Sequence, residues 1–142
     1  MEIVPFKVEH VAQIKLQPFQ SLTLSFVDME SLKVFEGTDC AYTAIDNGEV
    51  LAIGGVLDFC DGRGYGWSFL GGNIGHRMIS VTRAIKRFLE VCRFRRIEIA
   101  VDCNYETAHV WAKMLGFTKE CDRMRSFTPD GRDCALYAKV KS

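Results

Sequence analysis

Gly71-Gly72-Asn73-Ile74-Gly75 stands directly ahead of a stretch in which apolar residues recur at steps of three and four. A glycine-rich turn that opens a helix offers free backbone N–H groups and a partial positive charge, the elementary chemistry of a phosphate site. A loop that needs only flexibility would read the same way. The turn is not a Walker loop, because no Lys-Ser or Lys-Thr follows. Nor do glycines at 71, 72 and 75 fit the dinucleotide spacing. Seven basic residues follow (Arg77, Arg83, Lys86, Arg87, Arg93, Arg95 and Arg96), opposed only by Glu90. They suit a polyanionic ligand such as a nucleotide phosphate or, more plainly, a solvated helix face. Nucleic acid is the weaker fit, since the stretch lacks interleaved aromatics and the whole chain is neutral.

The remaining chemistry is sparse. His76 sits in the first turn of the expected helix, where a phosphate could meet it. His109 shares a helix face with Tyr105 and Ala112, and the plainer reading of both is a partly exposed structural histidine. Asp58 and Asp61 could act as bases near a strand end, although turn solvation explains them too. No serine–histidine–acid or cysteine–histidine signature occurs. The six cysteines form no Cys-x-x-Cys and the three histidines show no ligand spacing, so reduced thiols and no metal are expected.

These residues need a scaffold. Residues 1–7 alternate as a first strand, and Val8 to Phe26 reads as helix, break at Pro18 and short helix. Ala41–Ile45 and Val50–Ile53 flank Asp46-Asn47-Gly48-Glu49, a hairpin whose turn residues tolerate the left-handed backbone. Gly54-Gly55 signals a bulge or a close backbone contact. After a turn at Asp61–Gly64, Gly66–Leu70 forms a third antiparallel strand. Met78, Val81, Ile85, Phe88, Leu89 and Cys92 mark an amphipathic helix with Asn73 as its N-cap. Ile97–Val101 is a buried strand pairing parallel to Gly66–Leu70. A second helix spans Tyr105–Leu115, capped by Asn104 and stopped by Gly116. Strands near Phe117–Cys121 and Ala135–Val140, with a turn at Thr128–Gly131, end the chain. The fold class is a mixed α/β (α+β) sheet of six or seven strands.

With 142 residues, 16.1 kDa, 48% hydrophobic and 25% charged residues, one domain over residues 1–142 is expected, without the composition of a disordered chain. Eighteen basic and eighteen acidic side chains cancel, so bulk charge argues for neither nucleic acid nor membrane. No apolar run approaches the roughly 18 residues of a membrane span. Met1–Lys7 lacks a secretory pattern, and a cytoplasmic location is expected.

The stretch Asn104-Tyr105-Glu106-Thr107-Ala108-His109-Val110-Trp111-Ala112-Lys113-Met114-Leu115-Gly116-Phe117 resembles the fourth-helix motif of GNAT acetyltransferases. The strand Arg96–Val101 and the basic helix before it stand where that family places them. Ile79–Phe88, with the tail Met124-Arg125 to Pro129–Asp133, looks most like the GNAT-like proteins of tailed phages and prophages. The resemblance implies a GNAT-like sheet and acetyl-CoA as cosubstrate, with no metal. The coenzyme's pyrophosphate would rest on a turn patterned Arg/Gln-x-x-Gly-x-Gly/Ala. An amine would attack the thioester carbonyl, and a tyrosine would protonate the leaving thiolate. The implied acceptor is a small amine or a protein amine. The alternative is a catalytically inactive GNAT-fold protein, a phage structural component or a binder of a host protein, in virion or host cytoplasm. A homodimer is also admitted.

The chain departs from the family pattern at two places. The phosphate-loop positions read Asn73-Ile74-Gly75-His76-Arg77-Met78, with His76 and Met78 in place of small residues. The tyrosine position is Ala112, which leaves His109, one turn earlier, as substitute acid, or water. The resemblance then implies pyrophosphate on the backbone from Gly75 to Met78 and pantetheine amides on Phe69 and Leu70. Asn104 would lie near the thiol end, with Arg77 and Arg83 at the 3′-phosphate.

Overall fold

Asn47 and Gly48 take φ values of 50° and 77°, the left-handed pair that a tight hairpin turn requires. They join β2 (Ala41–Asp46) to β3 (Glu49–Cys60), as the sequence predicts. The structure is a computed structural model that describes residues 1–18, 20 and 28–141. β1 (Glu2–Pro5) pairs antiparallel with β2, from Glu2↔Ile45 to Pro5↔Tyr42. α1 (Glu9–Gln13) and α2 (Met29–Leu32) follow in the chain. Asp28 caps α2 by accepting the N–H of Glu30 at 3.1 Å. The short second helix expected up to Phe26 lies outside the described residues.

The Gly54-Gly55 signal resolves as a close contact. A Cβ at Gly55 would stand 2.7 Å from the Cys40 carbonyl oxygen and 2.8 Å from the Trp67 ring. The register shift in this hairpin falls instead between Ala44 and Ile45.

β4 (Arg63–Leu70) pairs parallel to β5 (Arg96–Asp102) through Arg63–Tyr65 and Arg96–Glu98. This corrects the expected pairing of Gly66–Leu70 with Ile97–Val101. The Gly62 carbonyl accepts the N–H groups of Arg95 and Arg96 at 2.8 and 3.0 Å. Those two bonds tie the turn to the start of β5 and set the register two residues earlier in β4, with Gly64 opposite Ile97. α3 (Met78–Val91) precedes β5, and α4 (Glu106–Met114) follows it. β7 (Cys134–Val140) pairs antiparallel with β5 over its whole length and with β6 (Thr118–Met124) on its other side. The result is a seven-stranded mixed sheet in the order β1-β2-β3-β4-β5-β7-β6, with helices beside it.

The chain clusters into two compact units, Met1–Leu57 with Trp67–Val81, and Asp58–Gly66 with Thr82–Ser142. The core of the first is aromatic and aliphatic: Phe6, Val11, Phe35, Ile53 and Phe69 are buried, and Trp67 packs against them. In the second, Leu89, Phe94, Ile97, Leu115, Phe117 and Tyr137 are buried. All six cysteines are free thiols. Among the described residues no helix is long and apolar enough to cross a membrane.

Candidate functional site

α3 does not start on Asn73. A one-turn 3-10 helix, Gly75–Arg77, leads into it with Ile74 at the cap position, and no side chain caps it. The reason is a stronger partner. Asn73 Nδ2 donates to Glu49 Oε2 at 2.6 Å, which turns the amide toward the β2–β3 turn. Ile74 lies in the right-handed region (φ −67°, ψ −40°) and Gly75 has φ 52°. A right-handed residue followed by a left-handed one points successive N–H groups into a shared concavity that binds anions. Among the described residues the N–H groups of Gly75 and His76 have no acceptor. Both residues are exposed, and a Cβ on Gly75 would meet nothing within 4 Å.

Arg77 is engaged within the same unit. Its Nη1 donates to Asp46 Oδ2 at 3.0 Å, Nη2 to the Asn73 carbonyl at 2.7 Å and Nε to the Ile74 carbonyl at 3.4 Å. The guanidinium holds the Asp46 carboxyl below its ordinary value. Arg77 is therefore directed at the loop and the β2–β3 turn, not at a ligand in solvent. Met78 is half-buried at the head of α3.

The backbone of Leu70 is also engaged. The segment Leu16–Gln17 runs against Leu70–Gly71 through an antiparallel bridge. The Leu70 carbonyl accepts the Gln17 N–H at 3.0 Å, and the Leu70 N–H donates to Gln20 Oε1. Leu70 thus reaches a ligand amide only if Gln17 and Gln20 give way. Phe69 is buried in the core of the first unit.

In the second unit, His109 is buried, where the sequence reading has it partly exposed. Its Nε2 lies 3.0 Å from the Asp102 carbonyl oxygen, which can only accept, so Nε2 carries the proton. Nδ1 is then the acceptor for the Tyr137 hydroxyl at 2.7 Å. Asn104 does not cap α4, because Tyr105 occupies the cap position. The Asn104 N–H instead donates to Asp102 Oδ1 at 2.9 Å, and its side chain is exposed. The other oxygen of Asp102 accepts from Arg132 Nη1 at 2.7 Å. Ala112 is buried. Burial pushes the Cys134 thiol up to about 11, which removes it as a nucleophile. On α3, Arg83, Lys86 and Arg87 are exposed, and none has an ion-pair partner among the described residues. Arg93 pairs with Asp58, and Arg96 with Glu98 and Glu120.

Sequence reasoning missed Asp46, Glu49 and Tyr137, since each acts on a residue 24 or more positions away, and Asp102, whose acceptors meet Asn104, His109 and Arg132. Among the described residues no cluster of His, Cys, Asp and Glu could hold a metal ion.

No family model matches the chain, and no curated protein matches it. Solved structures do. Ard1 from Thermoplasma volcanium superposes with a TM-score of 0.80 at 14% identity, over 99% of this chain and 97% of that one. Ribosomal-protein-alanine N-acetyltransferase from Brucella melitensis gives 0.71 at 11% identity, over 99% and 100%. The GNAT-family acetyltransferase from Streptococcus pneumoniae gives 0.69 at 16% identity, over 99% of both chains. The chain has the GNAT acetyltransferase fold.

Proposed function

We propose that the chain is an N-acetyltransferase that draws its acetyl group from acetyl-CoA and passes it to a small amine or a protein amine. One observation carries the reading. In a GNAT fold, the turn that opens α3 presents two adjacent N–H groups, of Gly75 and His76, exposed and without acceptors among the described residues. A pyrophosphate supplies the oxygens such a pair lacks, and the positive end of α3 adds to the attraction. Arg83, exposed and without an ion-pair partner among the described residues, is the cation proposed for the 3′-phosphate. Asn104, with its side chain in solvent at the head of α4, is proposed at the thiol end.

Bound acetyl-CoA supplies a thioester carbonyl open to attack by an amine. The chain binds and orients it. His109 holds its Nε2 proton against the Asp102 carbonyl and receives another hydrogen bond at Nδ1, so the ring has no proton to give without breaking a buried bond. Ala112 has none to give. The leaving thiolate, with a thiol pKa near 8.5, takes its proton from water, at a loss of rate and not of chemistry.

The same facts favour a second reading, a GNAT-fold protein that does not catalyse, such as a virion or host-protein-binding component. The specific observation behind it is Leu70, whose backbone groups are already paired with Gln17 and Gln20. Calorimetric titration with acetyl-CoA, followed by thiol release against a panel of polyamines, amino-acid amides and peptide N-termini, separates the two. Binding with turnover on one acceptor supports the enzyme. Binding without turnover, or no binding at millimolar ligand, rejects it in favour of the second reading.

A further inference from the structure

The β2–β3 turn and the loop ahead of α3 are fastened to each other at two points. Asp46 and Glu49 bracket the turn, and Arg77 and Asn73 bracket the loop. Asp46 takes Arg77 at 3.0 Å, and Glu49 takes Asn73 at 2.6 Å. Arg77 adds two bonds back onto the loop, to the carbonyls of Asn73 and Ile74. It thereby bridges from the carboxylate to the peptide units that precede the free N–H groups of Gly75 and His76. Both members of the Arg77–Asp46 pair are about three-quarters buried, at 22% and 24% side-chain exposure. That limits solvent screening of the pair. Asp46 Oδ1 also stands 3.4 Å from the Met1 amino group.

Geometry decides what these residues do. Arg77 has each of its three nitrogens donating to an acceptor in the chain, two of them backbone carbonyls. Asp46 and Glu49 carry the wrong charge to touch a phosphate. A left-handed Gly75 is one of several conformations an unrestrained glycine samples, so an anion nest centred on it needs outside restraint. The turn supplies that restraint.

We propose that Asp46 and Glu49 are positioning residues for the coenzyme: acting through Arg77 and Asn73, they fix the N–H groups of Gly75 and His76, and Arg77 serves binding by this route and not by contact with phosphate. The proposal rests on the acetyl-CoA reading above. It also gives a role to Arg77, which stands at a position the family pattern leaves open.

The test uses the full chain and two probes, coenzyme A and dephospho-coenzyme A, titrated into wild type, Arg77→Ala, Asp46→Ala, the milder Asp46→Asn and the Asp46→Ala/Arg77→Ala double variant. Each single variant is expected to lose about three- to tenfold in affinity, by the same factor for both probes. The double variant should be no weaker than Arg77→Ala. Amide exchange of Met78, whose N–H bonds the Gly75 carbonyl, is read on the ligand-free proteins and should quicken in all variants. Loss confined to coenzyme A overturns the proposal, because it places Arg77 on the 3′-phosphate. A gain of affinity in Asp46→Ala also overturns it, as a released Arg77 would then be a ligand. Unchanged Met78 exchange does the same. If wild type binds neither probe, it is the acetyl-CoA reading that fails. If wild type binds and Asp46→Ala is silent, only the fastening fails.

Discussion

The hydroxyl of Tyr137 donates to Nδ1 of His109 at 2.7 Å, and the opposite nitrogen of the same ring is held by the Asp102 carbonyl at 3.0 Å. Tyr137 is fully buried and His109 is 9% exposed, so the pair lies largely out of water. Removing the donor leaves a buried nitrogen without one, at a cost of about 1–3 kcal/mol. Tyr137→Phe should therefore lower the unfolding free energy, read by urea titration, by that amount, with any turnover per folded molecule unchanged. A variant that keeps full stability but loses turnover would instead make the pair part of a proton path.

Glu98 links three strands' worth of charge. It accepts from Arg63 Nε at 2.7 Å and from Arg96 Nε at 2.9 Å, and Arg96 continues to Glu120 at 2.5 Å. Arg63, and after it Arg96, pull the Glu98 carboxyl from an ordinary 4.5 down to about 2. A carboxyl depressed on folding stabilises the native state above its unfolded value, and the stabilisation is lost as pH falls toward the folded value. Glu98→Gln should thus be less stable than wild type by roughly 1–3 kcal/mol at pH 7. The gap should close between about pH 4.5 and pH 2. Urea unfolding of both proteins at pH 7, 5, 4 and 3 reads this directly, and a gap that stays constant across the window would refute it.

What the sequence makes legible, and what it hides, follows from range. The Asn47-Gly48 turn, the period of α3 and the stop at Gly116 (φ 95°) are local, and neighbours along the chain encode them. The two expected asparagine caps show the limit of local reading. Asn73 and Asn104 are good cap types, but Glu49 captures the first through its side chain and Asp102 the second through its backbone N–H. These partners lie 24 and 2 positions away, and only the fold brings Glu49 into reach. The sequence makes His109 a partly exposed structural histidine and hides its burial for the same reason, because its partner Tyr137 is 28 positions on and shows no periodic signal. The glycine cluster opening a helix is legible on the chain, whereas Asp46 and Glu49, which bond Arg77 and Asn73 of that turn, read only as a hairpin turn.

Gly55 offers a test of packing alone. Its φ is not in the left-handed region, so an alanine there meets no backbone strain. A Cβ would, however, stand 2.7 Å from the Cys40 carbonyl oxygen, 2.8 Å from the Trp67 ring and 2.9 Å from the Ala41 Cβ. Backbone on one side and a core indole on the other leave little to yield. Gly55→Ala should lose about 1–3 kcal/mol, the ordinary range for overpacking. Gly54→Ala, whose Cβ would be no nearer than 3.4 Å to any atom, should lose far less, and thermal unfolding of the pair checks the contrast.

Arg83 carries the last prediction because, like Arg87 and unlike the paired arginines around α3, it is exposed without an ion-pair partner among the described residues. Arg77, Arg93 and Arg96 are each in ion pairs, whereas Arg83 is exposed on α3 without one among the described residues. It stands six residues after Arg77, about 9 Å of helical rise at 1.5 Å per residue. An arginine–phosphate contact is charge-assisted and contributes on the order of 1.5 kcal/mol where solvent screens it, about tenfold in affinity. Arg83→Ala should therefore weaken coenzyme A about tenfold and leave dephospho-coenzyme A unchanged, the opposite of the equal losses expected at Arg77. The contrast should shrink as salt rises, because the contact is exposed. Lys86→Ala, three residues further on the same exposed face, serves as the control for bulk charge. If Lys86→Ala matches Arg83→Ala for both ligands, the helix attracts the coenzyme by its general field and Arg83 holds no particular phosphate.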